Sequence, residues 1–296
     1  MIDRLEMFVA LANAQHFGRA AEACGVTQPT LSSAIRQLEE SLGVQLVFRG
    51  SRYRGLTPEG ERVLGWARRI LADTRAMREE MRSLREGLTG GLRIGVIPTA
   101  LAAVAELTAP FCARHPQLRV ALLSRTSAEI LREIDALQLD AGITYLDNEP
   151  LGRVEAIPLY REAYVLLVHA ESATAGRDEV GWDEVAAEPL CLLTADMQNR
   201  RIVNQHLAEA GAEAPAPRIE SNSTVVLASH VACGGWASVL PVKLAALFTG
   251  DPRLCAVPIR GGGHVMGLIA PQQALHTPAL EALLHEARKR TGIVEA

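Results

Sequence analysis

Between Thr27 and Arg36 the chain gathers side chains able to read nucleic acid. Gln28, Thr30, Ser32, Ser33 and Arg36 fall on the outward side of one predicted helix. An amide can pair with an adenine edge, a guanidinium with guanine or a phosphate, and hydroxyls serve either. Pro29 falls in the first turn of that helix, where a missing N–H costs little, and the helix N-terminus itself favours a phosphate. Downstream, Arg49-Gly50-Ser51-Arg52-Tyr53-Arg54 is a turn-rich stretch with three cations, suited to lie along a backbone or enter a minor groove. From Gln45 to Ala72 six arginines face only Glu59 and Glu61. This local basic patch stands on a chain whose formal net charge is −4.

A second set of polar residues marks predicted helix starts in the C-terminal two-thirds. These are Pro98-Thr99-Ala100, Thr126-Ser127, Thr194-Ala195-Asp196-Met197-Gln198-Asn199 and Ser221-Asn222-Ser223. Each could be an ordinary N-cap. Together they supply hydroxyls, amides and free backbone N–H groups that suit a carboxylate or similar anion. Thr99, Ala100, Thr126, Ser127, Met197, Gln198, Asn199 and Ser221 are the candidate effector residues, with Arg125 and Arg200 the cations nearest to them in sequence.

The elements that position these groups follow from periodicity. Leu5, Phe8, Val9 and Ala12 predict an amphipathic helix over 3–14, and an Ala-rich helix over about 18–24 stops at Gly25. Thr27 caps the next helix, Leu31, Ile35 and Leu38 form its buried stripe, and Gly43 ends it. Ala21, Gly25 and Leu31 have the spacing that two crossed helices need around a tight turn, with Val26 filling the space beside it. Short extended stretches follow near Gln45–Phe48 and Arg54–Leu56. Thr57-Pro58-Glu59 then opens a long helix. Its Val63, Ala67, Ile70, Thr74, Met77, Met81, Leu84 and Leu88 step by 4 and 3 alternately, a heptad seam that calls for a partner helix. A helix of that length spans roughly 45 Å, more than a small head domain can bury. Gly87, Gly90 and Gly91 mark a hinge. Beyond them strands and helices alternate, which predicts an α/β sheet with helices on both faces. Two separate strand beginnings, at Arg93-Ile94-Gly95-Val96 and Val165-Leu166-Leu167-Val168, suggest two similar lobes.

Composition narrows the functional class. The apolar and charged fractions are those of an ordinary soluble protein, and no apolar run is long enough for a membrane span. The charged, helix-like first residues predict a cytoplasmic protein rather than an exported one. Cys24, Cys112, Cys191, Cys233 and Cys255 are scattered and form no Cys-x-x-Cys pair, which predicts reduced thiols rather than a metal or disulfide framework. The eight histidines form no His-x-x-x-His, and Gly-x-Ser-x-Gly is absent, so an enzyme is disfavoured. His230 and Cys233, one helical turn apart, read as core or surface residues rather than a metal site. No cofactor is expected. A free-standing solute-binding protein would match the second half but has no use for residues 1–90.

The chain resembles the LysR-type transcriptional regulators. The resemblance rests on Phe8-Val9-Ala10-Leu11-Ala12, Phe17-Gly18-Arg19-Ala20-Ala21-Glu22, Val26-Thr27-Gln28-Pro29-Thr30-Leu31-Ser32, Ile35-Arg36-Gln37-Leu38-Glu39, Leu42-Gly43-Val44-Gln45-Leu46 and Leu56-Thr57-Pro58-Glu59-Gly60. It continues more weakly through Arg93-Ile94-Gly95, Leu139–Ile143 and Val231–Pro241. Two departures are Val47, where Phe is usual, and Trp236, where a small Gly is common. The resemblance implies an α+β multi-domain chain. A winged helix-turn-helix head occupies 1–57 and a linker and dimerisation helix with its hinge 58–90. A two-lobed, periplasmic-binding-protein-like effector domain takes 91–296, with lobe I at 91–163 and 268–296 and lobe II at 164–267. It also implies double-stranded promoter DNA as partner, a small-molecule effector that modulates DNA binding, a homodimer or tetramer, and RNA polymerase as a further candidate partner. By position, Gln28, Pro29, Ser32, Ser33 and Arg36 should meet bases or phosphates, and Arg52 or Arg54 the minor groove. A likeness to regulators beside formate dehydrogenase operons makes formate the expected organic acid.

Overall fold

The computed structural model describes residues 1–48, 53–211 and 217–290. The chain forms two compact units. One comprises Met1–Leu88 with Asp135–Gln138 and Gln273–Pro278, and the other holds the rest.

In the first unit α1 (Ile2–Ala14), α2 (Phe17–Ala23) and α3 (Gln28–Leu42) pack around Phe8, Leu11, Ala20, Leu31 and Leu38, all fully buried. The turn between α2 and α3 is closed by the Val26 N–H on the Ala21 carbonyl (2.9 Å), and Gly25 takes the left-handed φ of +65° that a Cβ would disfavour. Thr27 caps α3 by accepting from the Thr30 N–H at 3.4 Å, and Gly43 ends it at φ +68°. The two extended stretches predicted after α3 do not form strands. A single bridge joins Val47 to Leu56. Arg49 and Arg52 lie outside the described residues.

The long helix α4 (Pro58–Glu86) runs for 29 residues from its Thr57 cap. Its predicted seam divides. Ala67 is fully buried in the head's own core and Val63 packs against that core, so neither belongs to an exposed stripe. These first turns bury apolar surface on their own chain, as Leu64 does. Beyond them Ile70, Met77, Met81 and Leu84 are exposed, at 41%, 57%, 52% and 76%, and Trp66 joins them at 61%.

The second unit contains two lobes. Lobe I is a five-stranded sheet in the order β2-β1-β3-β10-β4, built from β1 (Gly90–Val96), β2 (Leu118–Ser124), β3 (Ala141–Tyr145), β4 (Val154–Glu162) and β10 (His264–Pro271). β1 is parallel to β2 and β3, and β10 antiparallel to β3 and β4. The helices of this part are α5 (Val104–Arg114), α6 (Ser127–Asp135) and the C-terminal α11 (Pro278–Arg290). Lobe II pairs β5 (Tyr164–His169) with β8 (Ser238–Pro241) and β9 (Leu254–Pro258), and β6 (Cys191–Leu193) with β7 (Ile219–Ser221). It also carries α7 (Trp182–Ala186), α8 (Gln198–Glu209), α9 (Thr224–Ala232) and α10 (Val242–Ala245). The outward crossover is Glu162-Ala163-Tyr164. The return reaches the first sheet already at His264, which pairs with Glu162, rather than near 268. Gly261 and Gly262, both at positive φ, make that return turn. Trp236 packs on the lobe II core.

Candidate DNA-reading helix and effector cavity

The exposed face of α3 carries Gln28, Pro29, Thr30, Ser33 and Arg36, with Ser32 half-buried. Leu31, Ala34, Ile35 and Leu38 are buried on the opposite face. Arg54, the last cation of the predicted wing stretch 49–54, is exposed. Sequence reasoning gave no role to Glu39, yet its Oε1 accepts the N–H groups of Leu46 (2.8 Å) and Val47 (3.2 Å). It fixes the base of the wing to α3. Gly60 was also missed as a structural requirement. A Cβ there would lie 2.1 Å from the Leu46 carbonyl oxygen, so α4 approaches the wing closely only because this residue has no side chain.

Between the lobes lies a small cavity lined by Thr99, Thr126, Ser127, Met197, Gln198 and Asn199 together with Ile97, Pro98 and Leu193. Six of the eight predicted effector residues therefore converge. Ala100 is buried in the short 3-10 turn Pro98–Ala100, and Ser221 spends its hydroxyl on the Ser223 N–H at 3.1 Å; neither lines the cavity. Thr99 is 2% exposed and its Oγ1 has no hydrogen-bond partner. Thr126 caps α6 in exchange with Glu129: its hydroxyl accepts the Glu129 N–H at 3.2 Å, and the Glu129 carboxylate accepts from the Thr126 N–H at 2.9 Å. The bonds that the Thr126 N–H and hydroxyl donate to it hold the Glu129 carboxyl below its ordinary range. Met197, the residue before α8, offers that helix no side-chain cap. The first residues of α8 thus line the same cavity as Thr99, and no side chain caps that helix's leading N–H groups.

The two expected cations are committed elsewhere. Arg125 binds Glu133 at 2.9 Å, and Arg200 binds Glu220 at 2.6 Å and the Leu193 carbonyl at 2.8 Å. Nearer the cavity is Arg201, unsuspected in the sequence. It pairs with Glu149 at 2.6 Å and reaches to 3.5 Å from the Ser127 hydroxyl.

Behind the cavity is a buried polar network that binds lobe II to lobe I. The Thr144 hydroxyl donates to Gln198 Oε1 at 3.0 Å. Asn199 donates to the Tyr145 hydroxyl at 3.2 Å, which donates to Glu162 Oε2 at 2.6 Å; Tyr164 also donates to Tyr145. Burial pushes the Glu162 carboxyl up to about 7, although Tyr145 and Tyr160 both donate to it and the Lys243 charge favours its ionised form. The cysteines are all free, and none lines the cavity. Burial pushes the Cys191 thiol up to about 11.

Comparison with known proteins agrees with this architecture. Residues 2–61 match the family described as "Bacterial regulatory helix-turn-helix protein, lysR family", and residues 85–292 match the "LysR substrate binding domain". The DNA-binding transcriptional dual regulator OxyR of Escherichia coli K12 is 33% identical over 80% of this chain and 77% of its own. A hydrogen peroxide-inducible genes activator of Pectobacterium carotovorum is 32% identical over 80% of this chain and 78% of its own. Among solved structures, a cysteine-to-aspartate variant of full-length OxyR from Pseudomonas aeruginosa superposes with a TM-score of 0.76 at 26% identity, covering 97% of this chain and 94% of that one. No helix among the described residues is long and apolar enough to cross a membrane. The chain belongs to the LysR family and is a DNA-binding transcriptional regulator, not an enzyme, with an N-terminal helix-turn-helix and a two-lobed effector-binding domain.

Proposed function

We propose that this regulator reads promoter DNA with α3 and answers to a small organic acid, formate being the simplest, held in the cavity between its lobes. The observation that carries the ligand reading is the Thr99 hydroxyl, buried and without a partner, in the cavity that the uncapped start of α8 also lines. A carboxylate would take hydrogen bonds from both, and the helix N-terminus favours its charge. The neighbouring arginines already hold carboxylates, so the site suits one small anion rather than a diacid. On the DNA side, Gln28, Pro29, Thr30, Ser32, Ser33 and Arg36 meet bases or phosphates, and Arg54, with Arg49 and Arg52, grips the backbone or minor groove. The exposed stripe Ile70, Met77, Met81 and Leu84 is covered by α4 of a second copy, giving a homodimer or a tetramer.

A second reading comes from relatives named for hydrogen peroxide. Thiol oxidation needs an accessible thiolate. Here Asn199 and Gln198 head α8, the nearest cysteine in sequence, Cys191, is buried with a raised thiol pKa, and the exposed Cys233 does not line the cavity. The test is a footprint on the DNA upstream of the gene, with formate, acetate and hydrogen peroxide in separate reactions. Formate or acetate should change the protected region, and Thr99→Val should abolish that change while leaving basal protection. A change caused by peroxide alone, and lost when all five cysteines are replaced by serine, would overturn the organic-acid reading.

A further inference from the structure

His206 lies on α8 of lobe II and His264 opens β10 of lobe I. Their Nε2 atoms are 3.1 Å apart. The other nitrogen of each ring faces a carboxylate. His264 Nδ1 is 3.1 Å from Asp147 Oδ1, and His206 Nδ1 is 3.4 Å from Glu209 Oε2. A carboxylate holds the proton of a neutral imidazole on the nitrogen it faces, which leaves the far nitrogen as a lone pair. Two lone pairs pointed at one another repel unless a positive charge lies between them.

The spacing suits a metal ion. Two imidazole nitrogens bound to one zinc at tetrahedral angles lie about 3.3–3.4 Å apart, given Zn–N bonds of about 2.0–2.1 Å. The observed separation, at which the two rings share a proton when no metal is bound, is about 0.2 Å short of that range, so a small opening of the pair admits the ion. The outer carboxylates are the orienting partners that metal-bound imidazoles usually have. A Cβ on Gly262 would stand 3.0 Å from His206 Nε2 and 3.3 Å from the Trp182 ring, so the glycine keeps space open beside the His206 nitrogen. Trp182 stacks on the His206 ring, its centroid 4.6 Å from that of His206. The two imidazoles are only 13% and 14% exposed.

We propose that His206 and His264 form a binding site for one divalent first-row transition-metal ion of the imidazole-preferring class, zinc, nickel or copper, set across the crossover between the lobes. Among the described residues no three His, Cys, Asp or Glu side chains are grouped to hold a metal. The site is therefore an exchangeable one, with two side-chain ligands and water completing the shell, unlike a four-ligand structural zinc. Its consequence follows from position. The ion ties α8, whose first turn lines the effector cavity, to the first sheet, so occupancy stiffens the crossover that effector binding acts on.

Calorimetric titration of the full-length chain with zinc chloride at neutral pH tests this, in a Cys233→Ser background that removes the exposed thiol. One equivalent should bind. His206→Gln and His264→Gln should each weaken it at least tenfold, and Asp147→Asn should weaken it by about tenfold or more through the orientation of His264. The metal-free melting temperature of each variant is the folding control; if the histidine variants melt early, Asp147→Asn and Gly262→Ala carry the test. No binding at one equivalent, or binding that survives all of these substitutions, would overturn the proposal. Neither result bears on the organic-acid reading, whose test uses Thr99.

Discussion

The side chain of Asn199 donates to the hydroxyl of Tyr145 at 3.2 Å, so a residue on the wall of the effector cavity is bonded directly to the fully buried centre of the lobe I network. Whatever displaces Asn199 must break or redirect that bond. Tyr145→Phe would leave Asn199 and Glu162 each short of a partner in a buried setting. The expected loss is about 1–3 kcal/mol of effector-domain stability, read from denaturant melts. Asn199→Asp would instead set an acid near Glu162 and cost more. If Tyr145→Phe melts like the parent, the network is not tightly packed and the cavity is not coupled to it.

Glu162 makes stability depend on pH. Its carboxyl sits at about 7 in the folded chain, against an ordinary value of 4.5. The folded state holds the proton more tightly than the unfolded chain does, so this contribution is full below pH 4.5 and is lost as pH rises through 7. Over that window it amounts to at most about 3 kcal/mol. Glu162→Gln keeps the shape but cannot titrate. Melts at pH 5, 6, 7 and 8, in a chelator to exclude metal, should show the parent losing stability relative to the variant as pH rises. Parallel profiles would mean that the carboxyl is already ionised at pH 5.

The head was the most legible part of the sequence, and the reason is local. Thr27, Pro29, Gly25 and Gly43 each act within a few residues, and the cap and turn geometry came out as their chemistry requires. The cavity was legible to the extent that helix starts are: Thr99, Thr126, Ser127, Gln198 and Asn199 converge because the topology brings strand ends and helix N-termini together. What was not legible depends on partners far away in the chain. Glu162 reads as one more acid, and only the pairing of β4 with β10 shows it buried. β4 and β5 run on with only Ala163 between them, and α7 is five residues long, so no periodicity marks either boundary. His206 and His264 lie 58 residues apart, and no periodicity links them. Arg125 and Arg200 looked free until their carboxylates were placed.

Recognition of DNA divides between two residues with different signatures. Gln28 is exposed at the start of α3 and should read a base. Gln28→Ala should cost about 1–3 kcal/mol on the cognate site and relax preference at one position. Arg54→Ala should weaken binding on every sequence and make its salt dependence shallower. Competition gels with point-mutated operators at several salt concentrations separate the two. Equal loss on all DNA for the Gln28 variant would remove it from base reading.

Gly60 tests the packing of the wing against α4. Alanine is the better helix former by about 1 kcal/mol, which alone would stabilise the head. Yet its Cβ would meet the Leu46 carbonyl oxygen at 2.1 Å and the Leu56 Cβ at 3.2 Å. The first of these is backbone that Glu39 also holds, so relief requires the wing base to move. Overpacking of this kind costs about 1–3 kcal/mol, enough to reverse the propensity gain. Gly60→Ala should lower the head's melting point and weaken DNA binding with Gln28 and Arg54 intact. A raised melting point would show that the wing shifts freely.

The exposed half of α4 predicts the assembly. Met77 and Met81 are a helical turn apart and more than half exposed, with Leu84 three residues on and more exposed still. On a lone helix such a stripe stays in water; against a second copy it buries knobs into holes. Met77→Asp would place a charge in the middle of that seam, where each chain would meet the other's carboxylate. Sedimentation at micromolar concentration should show the parent as a dimer or larger and the variant shifted toward monomer. Ala67→Ser is the contrasting substitution: Ala67 is buried in the head's own core, so the change should lower head stability and leave the dimer intact. If Met77→Asp sediments as the parent does, the stripe is covered by something other than a second α4.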